Sequence, residues 1–228
     1  MSANLTKSAW DTETVSNESI NVSEEEAVFA PSKKLAIIWI VFGLIGFIAA
    51  MALVIEKIHV LEQPAATLSC DFNVFVSCKS VMASWQSHLF GFPNPLIGVA
   101  GFTIPIAVGF ATLAGAKLQR WFYQAMTAGF FMAFFFVLWL STQSIYVINV
   151  LCPYCMLAWF GTIPLFWHTL IWAMHEDIIE MPISMTNLID SAAKRPWLFS
   201  LVTELILVAL IVIQFWSWWP STIKQIFG

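Results

Sequence analysis

Long apolar runs without charge constrain this chain more than any other feature of its sequence. The run from Leu35 to Ile55 contains no Asp, Glu, Lys or Arg. A helix needs about 20 apolar residues to cross the hydrocarbon core of a bilayer. Charged residues make up 11% of the chain, where a soluble domain has about 25%. The sequence therefore predicts an all-α membrane protein that lies in the lipid bilayer.

Five segments are long enough to cross the membrane. They run from Leu35 to Ile55, from Pro95 to about Ala116, from Trp121 to about Val150, from the CPYC motif at Cys152 to about Met174, and from Pro196 to Trp219. The spacing thus predicts four spans close together in the chain and a fifth after a polar loop.

The basic residues predict the orientation. With a cytoplasmic amino terminus, the inner side has seven of them (Lys7, Lys33, Lys34, Lys117, Arg120, Lys194 and Arg195) and the outer side has three (Lys57, Lys79 and Lys224). Cytoplasmic loops carry the excess of Lys and Arg. We therefore expect a multi-pass protein of the cell (plasma or inner) membrane, with its amino terminus inside and its carboxyl terminus outside.

All four cysteines fall on the outer side in this topology. Cys70 and Cys78 lie between the first two spans, and Cys152 and Cys155 lie where the third span meets the fourth. In an oxidising compartment such thiols form disulfides or cycle through them. The placement therefore favours redox chemistry at the outer face.

The Cys152-Pro153-Tyr154-Cys155 motif stands at a predicted helix start. Pro is favoured at the first helical position, so Cys152 is expected at or near the cap and Cys155 one turn later. The unpaired N–H groups there stabilise a thiolate, and we expect a lowered pKa. The motif also lies at the edge of the hydrocarbon, where a quinone head group can reach.

The first loop pair differs in its surroundings. Cys70 stands in a polar stretch and is expected to be mobile and exposed. Cys78 falls on an apolar stripe with helical spacing, formed by Phe75, Cys78, Met82, Trp85 and Leu89. This pattern predicts an amphipathic surface helix with Cys78 on its inward face.

Other interpretations of the cysteines stay open. Structural disulfides in a transporter or a structural membrane subunit are one alternative, and a zinc site built from all four cysteines is another. Haem attachment is excluded, because Met156 follows Cys155 where His is required. Two pairs on one face of a bundle favour an electron relay.

The order of Cys70, Cys78, the segment Gly91 to Gly98 (GFPNPLIG) and CPYC resembles the vitamin K epoxide reductase family, most closely its bacterial members. The resemblance covers roughly residues 35–175 and implies a four-helix bundle that encloses a quinone. Together with the composition and the apolar runs, this predicts a disordered acidic cytoplasmic tail (1–33), the four-helix core (34–175) with an outer loop (56–94), a cytoplasmic loop (176–196), and the fifth transmembrane helix with a short outer tail (197–228).

The resemblance also implies roles for single residues. Cys155 reduces the quinone, Cys152 exchanges with the loop pair, Cys78 relays inward, and Cys70 meets a thioredoxin-fold partner. Three further residues are implied to bind the quinone: Asn94, Ser84 and Trp159. Trp159 replaces the Tyr that animal members carry four residues after the last cysteine, which argues against assuming epoxide substrates.

The predicted function is a quinone-dependent thiol oxidoreductase. It reoxidises an extracytoplasmic thioredoxin-fold protein, supports disulfide formation in exported proteins and reduces a menaquinone or ubiquinone of the membrane pool, without a metal and without nucleic acid. The alternative is a vitamin K-type quinone or epoxide reductase driven by outside thiols. Glu204 and His88 are further candidates for proton transfer.

Overall fold

The computed structural model describes residues 28–63, 67–179 and 193–216. Most of the predicted acidic tail, the middle of the 176–196 loop and most of the short outer tail lie outside these residues. The predictions for those segments therefore stay predictions.

Six α-helices occur in the described part of the chain: α1 (Lys33–Glu62), the short α2 (Cys78–Ala83), α3 (Asn94–Leu113), α4 (Arg120–Thr142), α5 (Pro153–His175) and α6 (Pro196–Gln214). All but α2 are long and apolar enough to cross a membrane. The predicted all-α membrane protein with five spans is confirmed.

Helix α1 is longer than its apolar run. It continues to Glu62, past the predicted end at Ile55, so the predicted loop boundary at residue 56 lies inside the helix. The added residues are mostly good helix formers, and neither Gly nor Pro interrupts them. The last turns of α1 therefore bring polar side chains to the cysteine-bearing end of the bundle.

Helix α1 packs against α3 and α5, and α5 also packs against α4 and α6. Glycines permit the close approach. A Cβ atom at Gly46 would lie 2.2 Å from Phe102 Cε1, and one at Gly161 would lie 2.9 Å from the Phe42 carbonyl oxygen. Small residues at such crossings are typical of membrane helix packing.

The core is rich in aromatic side chains, and some of its polar atoms are hydrogen-bonded to each other. Trp39 is fully buried, and its Nε1 donates to Thr169 Oγ1 at 2.8 Å. Tyr123 and Trp172 pack edge-to-face beside it, with ring centroids 5.0 Å apart. This cluster joins α1, α4 and α5.

The end of the bundle without cysteines is closed by short backbone contacts. Strand β1 (Val28–Phe29) pairs antiparallel with β2 (Leu118–Gln119). Arg120 Nη2 donates to the Asp177 carbonyl at 2.9 Å, which ties the start of α4 to the residues after α5.

The opposite end, which we call the cysteine end, contains the last turns of α1, helix α2 and the starts of α3 and α5. Helix α4 reaches it through a π-helix, Gln143–Ile148, and Asn149 then reverses the chain with a positive φ of 54°. α5 begins four residues later. This tight connection sets the position of the CPYC motif.

Candidate functional site

The CPYC motif forms the start of α5. Cys152 is the N-cap residue, and its sulfur accepts a hydrogen bond from the Cys155 backbone N–H at 3.3 Å. Pro153 occupies the first helical turn, where its missing N–H leaves no helical bond unmade. Both features were predicted from the sequence, and this local geometry is confirmed.

These contacts lower the pKa of Cys152 below that of an ordinary thiol. The hydrogen bond with the Cys155 thiol contributes most, while burial opposes it. The backbone N–H groups of Cys155 and Tyr154 lower the pKa further, and the charge of Asp71 raises it. Since a thiolate is the nucleophile in disulfide exchange, Cys152 is poised to react.

Cys70 and Cys78 form a disulfide, with Cα atoms 5.7 Å apart. Cys78 is fully buried and Cys70 is only 2% exposed. The prediction of an exposed Cys70 is wrong in this redox state, because Cys70 is bonded to the buried Cys78 and packs in an apolar cluster with Leu53 and Leu68. The loop disulfide therefore lies inside the cysteine end.

The two cysteine pairs meet sulfur to sulfur. Cys152 Sγ lies 3.4 Å from Cys78 Sγ. Backbone hydrogen bonds set this approach: Ser77 N–H donates to the Leu151 carbonyl at 3.0 Å, and Leu151 N–H donates to the Phe75 carbonyl at 2.7 Å. The segment before Cys78 and the residue before Cys152 are thus held side by side. This brings the two cysteine pairs into contact, as the predicted relay requires.

The remainder of the loop differs from the prediction. The apolar stripe favoured one helix with Trp85 on its buried face, but α2 ends at Ala83 and a separate 3-10 turn covers Trp85–His88. Ser84 is extended between them, with ψ at 151°. This break changes which side chains face inward, so Gln86 is buried and Trp85 is 59% exposed.

A cavity of about 940 Å³ lies beside the CPYC motif. Its volume is in the range of small-molecule sites, about 300–1,000 Å³. The wall is mostly apolar and includes Cys155 together with the three ligand residues implied by the resemblance, Ser84, Asn94 and Trp159. Cys152 is not part of this wall. The two cysteines of the motif therefore face different surroundings, the loop disulfide and the cavity.

The three residues that the resemblance implies as quinone ligands differ in which hydrogen-bonding groups remain free to contact a ligand. Asn94 Nδ2 donates to the Gln86 carbonyl at 2.7 Å and Asn94 Oδ1 accepts from Leu89 N–H at 3.3 Å, so one N–H remains. The Ser84 hydroxyl donates to a backbone carbonyl and can only accept from a ligand. Trp159 Nε1 has no hydrogen-bond partner among the described residues.

A pair of glutamines on the cavity wall escaped the sequence analysis. Gln86 Nε2 donates to Gln143 Oε1 at 3.2 Å, and both residues line the cavity. Gln143 begins the π-helix, and such helices occur frequently at functional sites. Gln143 stands between Thr142 and Ser144, and this polar stretch near the end of the third span was the available signal. The position of Gln86 depended on the unforeseen break at Ser84.

The two candidates for proton transfer lie in different places. His88 is on the cavity wall, with its Nδ1 3.2 Å from Ser87 Oγ. Glu204 on α6 does not line the cavity, and its Oε1 is buried without a hydrogen-bond partner in the described ranges. Only His88 is therefore placed beside the site.

Comparison with known protein families identifies the part of the chain that contains the four cysteines and the cavity. A sequence model of the Vitamin K epoxide reductase family matches residues 37–170, which is more than half of the chain and includes all four cysteines. Helix α6 lies outside the match. No curated protein matched the chain.

Proposed function

The chain belongs to the vitamin K epoxide reductase family and is thus an oxidoreductase of the membrane, and we propose that it transfers electrons from a thioredoxin-fold thiol protein to a membrane quinone. The 3.4 Å approach of Cys152 Sγ to Cys78 Sγ carries this proposal, because sulfurs at that distance can exchange without a large movement. Cys155 lies on the cavity wall, which supports a role for it in passing the electrons on.

The first step is exchange between the partner protein and the loop disulfide. A partner thiolate bonds to Cys70 Sγ, the Cys70–Cys78 bond breaks, and Cys78 leaves as a thiolate. The second partner thiol then displaces Cys70, and the partner departs as a disulfide. The partner has lost two electrons and two protons, and the loop pair has gained them.

The second step moves the electrons to the CPYC pair. From a Cys152–Cys155 disulfide, the Cys78 thiolate attacks Cys152 Sγ and Cys155 leaves as a thiolate. Cys70 then attacks Cys78, which restores the loop disulfide and releases Cys152. The lowered pKa of Cys152 makes it a good leaving group. A loop disulfide beside two thiols is also the redox state of the structure.

The cavity suits a quinone ring. Its wall is mostly apolar, and Asn94, Gln143 and Trp159 each have an N–H group that could donate to a carbonyl oxygen. A quinone accepts two electrons and two protons as it becomes a quinol, which balances re-formation of the Cys152–Cys155 disulfide. Family proteins use quinones, and we propose a menaquinone or a ubiquinone here.

The excess of Lys and Arg at the other end of the bundle supports an extracytoplasmic cysteine end. In that orientation the protein would reoxidise a partner that forms disulfides in exported proteins. A purely bracing role is disfavoured, because Cys152 Sγ lies within exchange distance of the loop disulfide, 3.4 Å from Cys78 Sγ. Trp159 stands where animal members of the family carry a Tyr, which argues against assuming an epoxide substrate.

The test is quinone reduction by the purified full-length protein in detergent. The electron donor is a reduced thioredoxin-fold protein, and the acceptors are a short-chain ubiquinone and a short-chain menaquinone. Cys155→Ala should abolish turnover and accumulate a Cys78–Cys152 disulfide, visible by mass spectrometry. Leu157→Ala, an exposed position on the same helix, is the matched control and should retain activity.

Two results would refute the proposal. One is a folded wild-type protein that reduces neither quinone. The other is a Cys155→Ala variant that turns over as fast as Leu157→Ala. Reduction of a vitamin K epoxide in the same assay would instead move the assignment to the epoxide reductases.

A further inference from the structure

The two sides of the loop disulfide are held in different ways. The segment Phe75 to Cys78, which we call the Cys78 arm, is joined to Leu151 by two backbone hydrogen bonds of 3.0 and 2.7 Å. Leu151 directly precedes Cys152 in the chain. Since backbone bonds do not depend on a side-chain conformation, this arm stays beside Cys152.

The segment Leu68 to Cys70, which we call the Cys70 arm, depends on side chains. Ser69 donates through its backbone N–H to Glu56 Oε1 at 3.2 Å, and through its hydroxyl to the same oxygen. Ser69 Oγ also lies 3.0 Å from the Tyr154 hydroxyl, inside the CPYC motif. Three groups from α1, the loop and α5 thus form one chain of hydrogen bonds.

Glu56 occupies an unusual place for a carboxylate. The residue is 7% exposed, beside the apolar cluster that contains Leu53, Leu68 and both loop cysteines. On its outer side, Oε2 is 3.9 Å from His59 Nδ1. A buried carboxylate without donors is costly, whereas hydrogen bonds to a charged group are the stronger kind. The contact with Ser69 is therefore a strong one that a side-chain movement can release.

We propose that Glu56 is a positioning residue that keeps Cys70 buried, and that release of Ser69 from Glu56 opens Cys70 to the thiol partner while Cys78 remains at Cys152. The partner's role rests on the proposed function above. Cys70 is only 2% exposed in the closed state, so a protein thiolate cannot reach it there. Because the Cys78 arm is fixed, a Cys78 thiolate released by reduction of the loop disulfide already lies beside Cys152 and can exchange with it.

Thiol labelling in native membranes tests this directly. In a full-length chain where Cys70 is the only cysteine left, we would measure its reaction with a bulky polyethylene-glycol maleimide. Glu56→Ala should label at least tenfold faster than the parent chain, because one hydrogen bond to a charged group already corresponds to about that factor and Ser69 makes two. Glu56→Gln keeps an oxygen acceptor for Ser69 and should restore most of the protection. Glu62→Ala, an exposed carboxylate of the same helix, should label like the parent.

A second background separates local opening from loss of the fold. With Cys78 as the only cysteine, Glu56→Ala should leave labelling slow, because the backbone bonds of the Cys78 arm persist. Equal Cys70 rates in Glu56→Ala and Glu62→Ala would overturn the proposal, and so would a parallel rise at Cys78. Labelling needs neither a partner nor a quinone, so its outcome is independent of the quinone assay.

Discussion

We expect Asn94 to contribute both to the stability of the fold and to the binding of a quinone. Its side chain holds the 3-10 turn through a 2.7 Å bond to the Gln86 carbonyl and a 3.3 Å bond from Leu89 N–H. The bond to Gln86 is partly buried and the bond from Leu89 is exposed, so loss of the first costs more. At about 1 kcal/mol for a typical bond, and less where water replaces it, Asn94→Ala should lower the unfolding free energy by roughly 1–2 kcal/mol.

The second effect concerns the N–H that Asn94 has left for the cavity. If it donates to a quinone carbonyl, Asn94→Ala should also raise the quinone KM about tenfold, the equivalent of 1.4 kcal/mol. Stability is read from unfolding of the protein in detergent by circular dichroism, and KM from the quinone assay. Thr103→Val on the same helix, which removes only a local bond to the Val99 carbonyl, is the control. A stability equal to that of the control would refute the structural argument, and an unchanged KM would remove Asn94 from the quinone site.

Two further predictions follow from packing and charge. Gly46→Ala should lower the unfolding free energy by about 1–3 kcal/mol, because the new Cβ would lie 2.2 Å from the Phe102 ring. The control Gly129→Ala, whose Cβ would have no atom within 4 Å, should keep the parent's stability. Equal unfolding temperatures of the two variants would contradict the packing argument. Burial raises the pKa of Asp71, but hydrogen bonds from Lys79, Ser77 and Leu68 outweigh it and leave the pKa below 3.8. Because the pKa of Asp71 is lower in the folded protein, its carboxylate stabilises the loop at neutral pH. That stabilisation is lost as the pH falls through the lowered pKa. Phosphine reduction of the loop disulfide should therefore accelerate below pH 3.8, whereas Asp71→Ala, which leaves no acceptor for Ser77 and Lys79, should react fast at every pH.

The features that could be predicted from the sequence are those that depend on neighbours in the chain. An isolated apolar segment in lipid can satisfy its backbone only as a helix, so the five spans followed from their composition. The Cys152 cap followed from Pro153 and from the position of the motif at a helix start. Both depend on a few consecutive residues and needed no knowledge of packing.

The loop between α1 and α3 could not be predicted in the same way. Its apolar spacing suits a continuous helix, but Ser84 adopts an extended conformation and its hydroxyl bonds to the backbone at Val81. Serine competes for backbone groups in this manner, which favours helix ends. Whether it does so depends on the contacts beyond it, here those of Gln86 with Asn94 and Gln143.

The burial of Cys70 has the same origin. A hydropathy argument ends the first span at Ile55 and treats Glu56 as the beginning of a solvated loop. The helix instead continues for about two turns and carries that carboxylate to the level of the CPYC motif, where Ser69, 13 positions later in the chain, bonds to it. The contact between Glu56 and Ser69, on which the proposed positioning of Cys70 rests, therefore depends on the length of α1 rather than on its apolar content. Under the proposal above, access of a thiol partner to Cys70 would then depend on a residue that the cysteine pattern does not include.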